Sequence, residues 1–488
     1  MMHVPLFVLG LIAPLQTPME THVIIVAHNR AHDGSLEPLS FADDDGAKYA
    51  ELFALTGAKV HLLSVMDAET QALFPDWAAR ARVPSRRNLE RTLERVFQDL
   101  KDRRKRNQLY FIYVGHGTLE GNRGIMHLHD GPFSRRRLFE TVVAPSPADL
   151  NHIVIDACHA YFMVAKRGSN ASLDEAFEDF LERDDLQLYP NTGVIVSTSK
   201  AREVHEWSRV RAGVFSHELR SGLRGAADAS GDGAVTYMEA EAFVAAANAT
   251  IPDPRARLDI FVAPPKVYLD APLFDREWTR ERPRLEIPTS HAGRYSVHDD
   301  RGVRIADFHS GPDAQVSLLL GPRPQFFVED DRDTYIVRPS VRRAVSLASL
   351  YAEPKRQRTR GGEDQQFATH LFEIPFGPAY FEGYRASALR PEPVTVEARA
   401  SSGPHFVRPL AWATSAAALA AVGTGIYFRA EAGRDAEAFR TAIGGPEVTD
   451  PLRDEAEGAT RTSNILLGVG GGLAATALLF WLLPDDAF

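Results

Sequence analysis

Five short apolar runs, each separated from the next by a helical pattern, constrain this chain more than any other feature. They are HVIIVAH at 22–28, KVHLLSV at 59–65, QLYFIYVGHG at 108–117, HIVIDAC at 152–158 and TGVIVSTS at 192–199. Strand-length runs that are apolar at successive positions must be covered on both faces. Between them lie FADDDGAKYAELFALTG, SRRNLERTLERVFQDLKDRRKR, SRRRLFETVV and LDEAFEDFLERDD, whose apolar spacing is helical. The alternation implies an α/β fold with a largely parallel sheet sandwiched by helices. In such sheets the site lies beyond the carboxyl ends of the strands.

Two of those ends carry reactive side chains. Cys158 is the only cysteine in 488 residues, which excludes an intramolecular disulfide and any zinc site built on several thiolates. The thiol is therefore either buried filler or a reagent. It closes one strand and opens the next turn, where backbone N–H groups and a neighbouring base favour thiolate. His116 closes another strand in Y-V-G-H-G, where glycines let the backbone turn sharply and a substrate approach closely. A Cys-His pair on adjacent strand ends suits acyl transfer. His159, next to the thiol, is aimed elsewhere by the backbone and reads as structural. His127 and His129 alternate on one strand face, a pattern open to metal ligation that is not carried further. A net charge of −10 gives no reason to expect a nucleic-acid partner.

With Y-V-G-H-G and D-A-C-H in place, residues 20–265 resemble the caspase and metacaspase-like cysteine peptidases of bacterial type. A-D-D-D-G in the first helix and G-V-F-S-H-E-L-R-S-G-L-R-G after the last strand add to the likeness. The 42 residues from His116 to Cys158 are close to the ~50 of caspases. The resemblance implies a caspase-like α/β/α sandwich over 21–275, with Cys158 as nucleophile and His116 as general acid/base. The oxyanion would rest on backbone N–H groups of Gly117 and Cys158. It also implies that Asp156 and Asp45 are substrate-binding acids selecting Arg or Lys before the scissile bond. The alternatives are a helix-capping carboxylate for Asp156 and a solvated helix face for Asp45. Val114 and Ala160-Tyr161 depart from the family pattern. A different class of function also stays open: a catalytically silent interaction or Ca²⁺-sensing protein on the same fold.

Residues 228–239, DASGDGAVTYME, follow an EF-hand loop, with Asp228, Ser230, Asp232 and Glu239 as oxygen ligands and Gly233 at the turn. Ca²⁺ is thus the one cofactor expected, structural or regulatory, and the hydrolytic chemistry requires none. Residues 283–345 break into short alternating runs, as in a small β domain, and 346–408 read as a linker and juxtamembrane region.

The ends suggest a membrane. LAWATSAAALAAVGTGIYF at 410–428 and ILLGVGGGLAATALLFWLL at 465–483 are uncharged over 19 residues, about 28 Å of helix against a hydrocarbon core of ~30 Å. Gly468 and Gly472 offer a G-x-x-x-G face. A two-helix transmembrane hairpin over 409–484 is therefore expected, and residues 1–20 are a weak candidate for a signal peptide. The Arg-rich loop between the spans puts the catalytic region on the outer side of a bacterial envelope membrane. The partners expected are a protein or peptide substrate and that membrane.

Overall fold

Alternate residues of one strand explain the layering. In β1 (Glu20–His28), Val23, Ile25 and Ala27 join one buried cluster while Ile24 and Val26 join another. In β3 (Asn107–Gly115), reached after β2 (Lys59–Ser64), Tyr110, Ile112 and Val114 belong to the first cluster and Leu109, Phe111 and Tyr113 to the second. A sheet apolar on both faces needs a helical layer on each. Helix α1 (Ala42–Ala54) supplies Ala47, Ala50 and Phe53 to the first, and α2 (Arg86–Leu100) supplies Leu89, Leu93 and Val96 to the second. The computed structural model describes residues 19–101, 106–120, 123–157, 186, 188–199, 206–252, 257–339, 344–355, 365–388, 407–441 and 446–482.

After β3 the chain makes a small antiparallel sheet of β4 (Gly117–Glu120), β5 (Arg123–Leu128) and β6 (Gly131–Ser134). It then returns to the main sheet as β7 (Leu150–Ala157) and β8 (Thr192–Ser199). A short ribbon of β9 (Glu206–Trp207) and β10 (Ala212–Gly213) leads into helix α3 (Val214–Ser221). Next come β11 (Ala234–Thr236), helix α4 (Tyr237–Asn248) and β12 (Leu258–Ala263). The main sheet runs β12-β8-β7-β3-β1-β2, parallel except for β12 at its edge. The mixed α/β fold with a mostly parallel central sheet is thus present.

β13 (Pro272–Asp275) pairs with β11. Two further sheets follow. One holds β14 (Arg284–Ile287), β17 (Val316–Leu319) and β20 (Ala344–Ser346). The other holds β15 (Gly293–Asp299), β16 (Arg304–Ser310), β18 (Phe326–Glu329), β19 (Asp333–Val337) and β21 (Ala352–Pro354). They share one compact unit, residues 20–101 and 107–397, with the main sheet. Buried polar groups tie them to α3: His217 Nε2 meets Asp307 Oδ2 at 2.6 Å, and Arg304 closes the cluster on the same carboxylate. Two helices, Gln365–His370 and Pro378–Ala388, lie in the stretch where the sequence suggests only a linker.

The expected membrane hairpin is overturned. Helices α5 (Val407–Thr441) and α6 (Pro446–Leu482) do form, but among the described residues no helix is long and apolar enough to cross a membrane. The uncharged stretch of α5 is rich in Ala, Gly and Thr, which add little apolar area, and in both helices the uncharged stretch is continuous with a charged segment of the same helix. Residues 429–440 carry three Arg and 453–461 carry two. The close contact between the helices also differs from the G-x-x-x-G expectation. A Cβ at Gly470 would strike Val422 and one at Gly425 would strike Leu467, whereas among the described residues nothing lies within 4 Å of a Cβ at Gly468 or Gly472. Ser463 Oγ donates to the Gly425 carbonyl across the pair at 2.9 Å.

Candidate active site

Strand register brings the reactive ends together. β3 and β7 pair in parallel with Val114 opposite Asp156 and Gly115 opposite Ala157, and β1 adds His28 opposite Gly115. Neighbouring strands lie about 4.8 Å apart, so β3 delivers His116 beside the point where β7 ends at Ala157. Cys158 and His159 lie outside the described residues, as do residues 1–18 with the signal-peptide candidate.

His116 is buried, and its Nε2 has no hydrogen-bond partner among the described residues. Burial pushes the imidazole below its ordinary pKa, and the carbonyls of Asn29 and Glu37 partly oppose that shift. Burial thus favours the neutral ring, and among the described residues its Nε2 is left without a partner. Gly117, the oxyanion-donor candidate, opens β4 opposite Met126.

Asp156 sits in the same row of the sheet as Ser197 and accepts from its hydroxyl at 3.0 Å. Its other oxygen accepts from Ser216 Oγ, in the first turn of α3, at 2.5 Å. Asp45 has no solvated face. It is fully buried, and its oxygens accept from Gly213 N and from an Arg220 guanidinium nitrogen, each at 2.7 Å. Gly213, Ser216 and Arg220 are three and four residues apart, so one face of α3 addresses both acids. A Cβ at Gly213 would lie 3.3 Å from an oxygen of each carboxylate, which explains the glycine and shows how closely they converge. Burial raises the carboxyls of Asp45 and Asp156. Arg220 and Lys48 work against this at Asp45, while the hydroxyls of Ser216 and Ser197 do so at Asp156.

The difference between the acids is chemical. Asp45 is already paired with a cation, whereas among the described residues Asp156 has only neutral donors in hydrogen-bond contact. Their neighbours Asp43 and Asp44 are also buried, bonded to Asn29, Asp67 N, Thr70 and Arg211. Carboxylates in the first turn of a helix gain from its dipole, so the D-D-D run anchors α1 by its amino end.

The EF-hand-like loop is shaped by its own backbone. Asp228 accepts from Gly231 N and Gly233 N, and Asp232 from Ala234 N. Glu239 is buried and accepts from Ser230 N at 2.9 Å and from Thr236 N at 2.9 Å, forming a capping box at the start of α4. Ser230 Oγ donates to Asp228 at 3.4 Å.

Sequence reasoning passes over Arg220, Ser197, Ser216 and Gly213. The G-V-F-S-H-E-L-R stretch contains three of them, but nothing local says that its polar positions point inward. His127 lies on β5, and its Nδ1 stands 2.7 Å from His32 Nδ1. His129 instead packs its ring against His28.

No protein-family model and no curated protein matches the chain. Solved structures similar to it include protein GSU0716 from Geobacter sulfurreducens, at 14% identity and a TM-score of 0.34, covering 52% of this chain and 98% of that one. Caspase-1 from Spodoptera frugiperda is similar at 13% identity and a TM-score of 0.33, covering 54% and 93%. A structure titled pro-sf-caspase-1 gives 12% and 0.33, covering 52% and 94%. These are likenesses of fold alone.

Proposed function

We propose that the chain is a caspase-like cysteine endopeptidase in which Cys158 is the nucleophile and His116 the acid/base. The observation that supports this most is the register pairing Gly115 with Ala157, which ends two central strands side by side with the open Nε2 of His116 at one of them. His116 takes the thiol proton, and the thiolate attacks the scissile carbonyl. Backbone N–H groups of Gly117 and Cys158 receive the developing oxyanion. Imidazolium then protonates the departing amine, leaving an acyl-thioester. Water, deprotonated by the same imidazole, attacks the thioester carbon. The acid product departs as the thiol is restored.

Preference for a basic residue before the scissile bond fits the same site, and it rests on Asp156 more than on Asp45. A substrate guanidinium or ammonium would meet a carboxylate whose hydrogen bonds among the described residues come from the neutral Ser197 and Ser216, with Arg220 acting on it only through its charge, whereas Asp45 is bonded to Arg220 directly. Asp228, Ser230, Asp232 and Glu239 supply the oxygen donors Ca²⁺ prefers, and the ion would brace α4 against the end of α3. No step of hydrolysis runs through it.

The test is a mixed peptide library incubated with the full chain and with Cys158→Ala, with new termini mapped by mass spectrometry. The proposal expects cleavage after Arg or Lys by the parent protein alone. Cleavage that survives in Cys158→Ala, or none by either protein with reductant and Ca²⁺ present, would overturn it.

A further inference from the structure

Five of the chain's 17 histidines gather at the carboxyl ends of β1, β3 and β5 and in the loops that follow: His28, His32, His116, His127 and His129. Within this group, ligand atoms of His32, Asp33 and His127 all lie within 4.8 Å of one another, and no other three such side chains do so among the described residues. We propose that His32, Asp33 and His127 hold a divalent metal ion of the borderline, nitrogen-preferring class typified by Zn²⁺.

The hydrogen bonding around His127 already selects the tautomer a metal needs. The backbone N–H of His32 points at His127 Nδ1 at 3.4 Å, which makes that nitrogen an acceptor carrying a lone pair. The proton is then on Nε2, which lies 2.8 Å from Thr118 Oγ1 and donates to it. A ligating histidine fixed through its second nitrogen is the usual arrangement around protein-bound metals. His32 Nδ1 sits 2.7 Å from His127 Nδ1, so without an ion one proton is shared between them. Two imidazole nitrogens held this close suit an ion that takes the place of that proton. Asp33 supplies the anionic donor, and its carboxylate is held by Ser35 N at 3.1 Å and Ser35 Oγ at 2.7 Å.

Charge and access agree with this reading. His127 is buried, His32 half-buried and Asp33 exposed, so the site has a dry floor and an open side. Three protein ligands leave a fourth position free in a tetrahedral site. Two imidazoles and one carboxylate favour Zn²⁺, Co²⁺ or Ni²⁺ over Ca²⁺ and Mg²⁺, which take oxygen ligands. The proposed metal site stands apart from the peptidase reading, since none of its ligands is the thiol or His116. The His116 and His127 rings are nonetheless only 6.4 Å apart.

The experiment uses full-length protein carrying Cys158→Ala, so that thiol ligation contributes nothing, and follows Co²⁺ by its visible d–d absorbance with Zn²⁺ as competitor. One equivalent of Co²⁺ per chain is expected, displaced by Zn²⁺ and insensitive to excess Ca²⁺. His32→Gln and Asp33→Asn each remove a ligand from an accessible loop and should weaken binding at least about tenfold, while Thr118→Val weakens it about 10-fold by freeing the His127 ring. Circular dichroism confirms that each variant is folded. If His127→Gln fails to fold, the two loop variants decide the matter. Absence of a saturable Co²⁺ signal overturns the proposal, and so does a signal unchanged in both His32→Gln and Asp33→Asn.

Discussion

Replacing Arg220 by Met isolates the electrostatics under the candidate site. Arg220 is almost wholly buried, donates to Asp45 at 2.7 Å and places its guanidinium 4.8 Å over the Tyr49 ring. Methionine keeps much of the stem packing but removes the charge. The buried Asp45 carboxylate then retains only Gly213 N as a direct donor and the more distant Lys48 charge. Removing one partner of a buried pair costs about 3–5 kcal/mol. Loss of the desolvated cation–π contact falls within that range, because the two effects share one side chain.

The pH dependence of this deficit has a definite sign. Burial already holds Asp45 above the ordinary carboxylate range, and losing the guanidinium raises it further. A raised carboxyl contributes stability that is present below about pH 4 and lost as pH rises through the folded-state value. Parent and variant share that loss up to the parent's folded-state value of about 7, so the deficit of Arg220→Met should stay level below it and grow above it by up to about 1.4 kcal/mol per unit. Urea unfolding followed by tryptophan fluorescence, at about pH 5, about pH 7 and about pH 8.5, measures it. The double variant Asp45→Asn/Arg220→Met should recover about half the loss or more, since no charge is left stranded. A single-variant cost below about 1 kcal/mol, or strict additivity in the double variant, would refute the reasoning.

Three further outcomes are expected. Asp156→Asn should lower kcat/KM for substrates with Arg before the scissile bond by roughly 100-fold, the loss of one buried charge partner, while leaving thiol alkylation unchanged. Gly46→Ala should destabilise by about 1–3 kcal/mol, because its Cβ would collide with Ala27 where α1 lies on β1; thermal unfolding reads this directly. Glu239→Ala should cost about 1–3 kcal/mol even in excess chelator, since the carboxylate serves Ser230 N and Thr236 N without an ion; equal stability of variant and parent in chelator would contradict that.

The strands of the central sheet were legible because their residues are apolar on both faces, as Val23 and Ile24 illustrate. Asp156 stands out in the sequence by its place two residues before Cys158, but its bonds to the Ser197 and Ser216 hydroxyls come from elements far along the chain. Arg220 was not legible. Charged residues on helices are normally solvated, and only the fold brings Asp45, 175 positions away, against it. The same holds for His217 and Asp307, and for His32 and His127, whose partners come from different elements. The edge strand β12 was missed because LDIFVA carries an acid in a short run and pairs only with β8. The C-terminal hairpin departs from a membrane reading because each uncharged stretch belongs to a longer helix with a charged segment, and that of α5 is mostly alanine, glycine and threonine, which bury little surface.

If thiol and imidazole act together at neighbouring strand ends, covalent labelling of Cys158 will depend on His116. A peptidyl acyloxymethylketone ending in Arg should modify the full chain once, at Cys158, as read by intact mass and peptide mapping. The rate should fall at least about 100-fold in His116→Ala, the scale of a lost acid/base group, and an Asp-ending analogue should label slowly. A thiol that resists the reagent, or one that reacts equally fast with and without His116, would contradict the account.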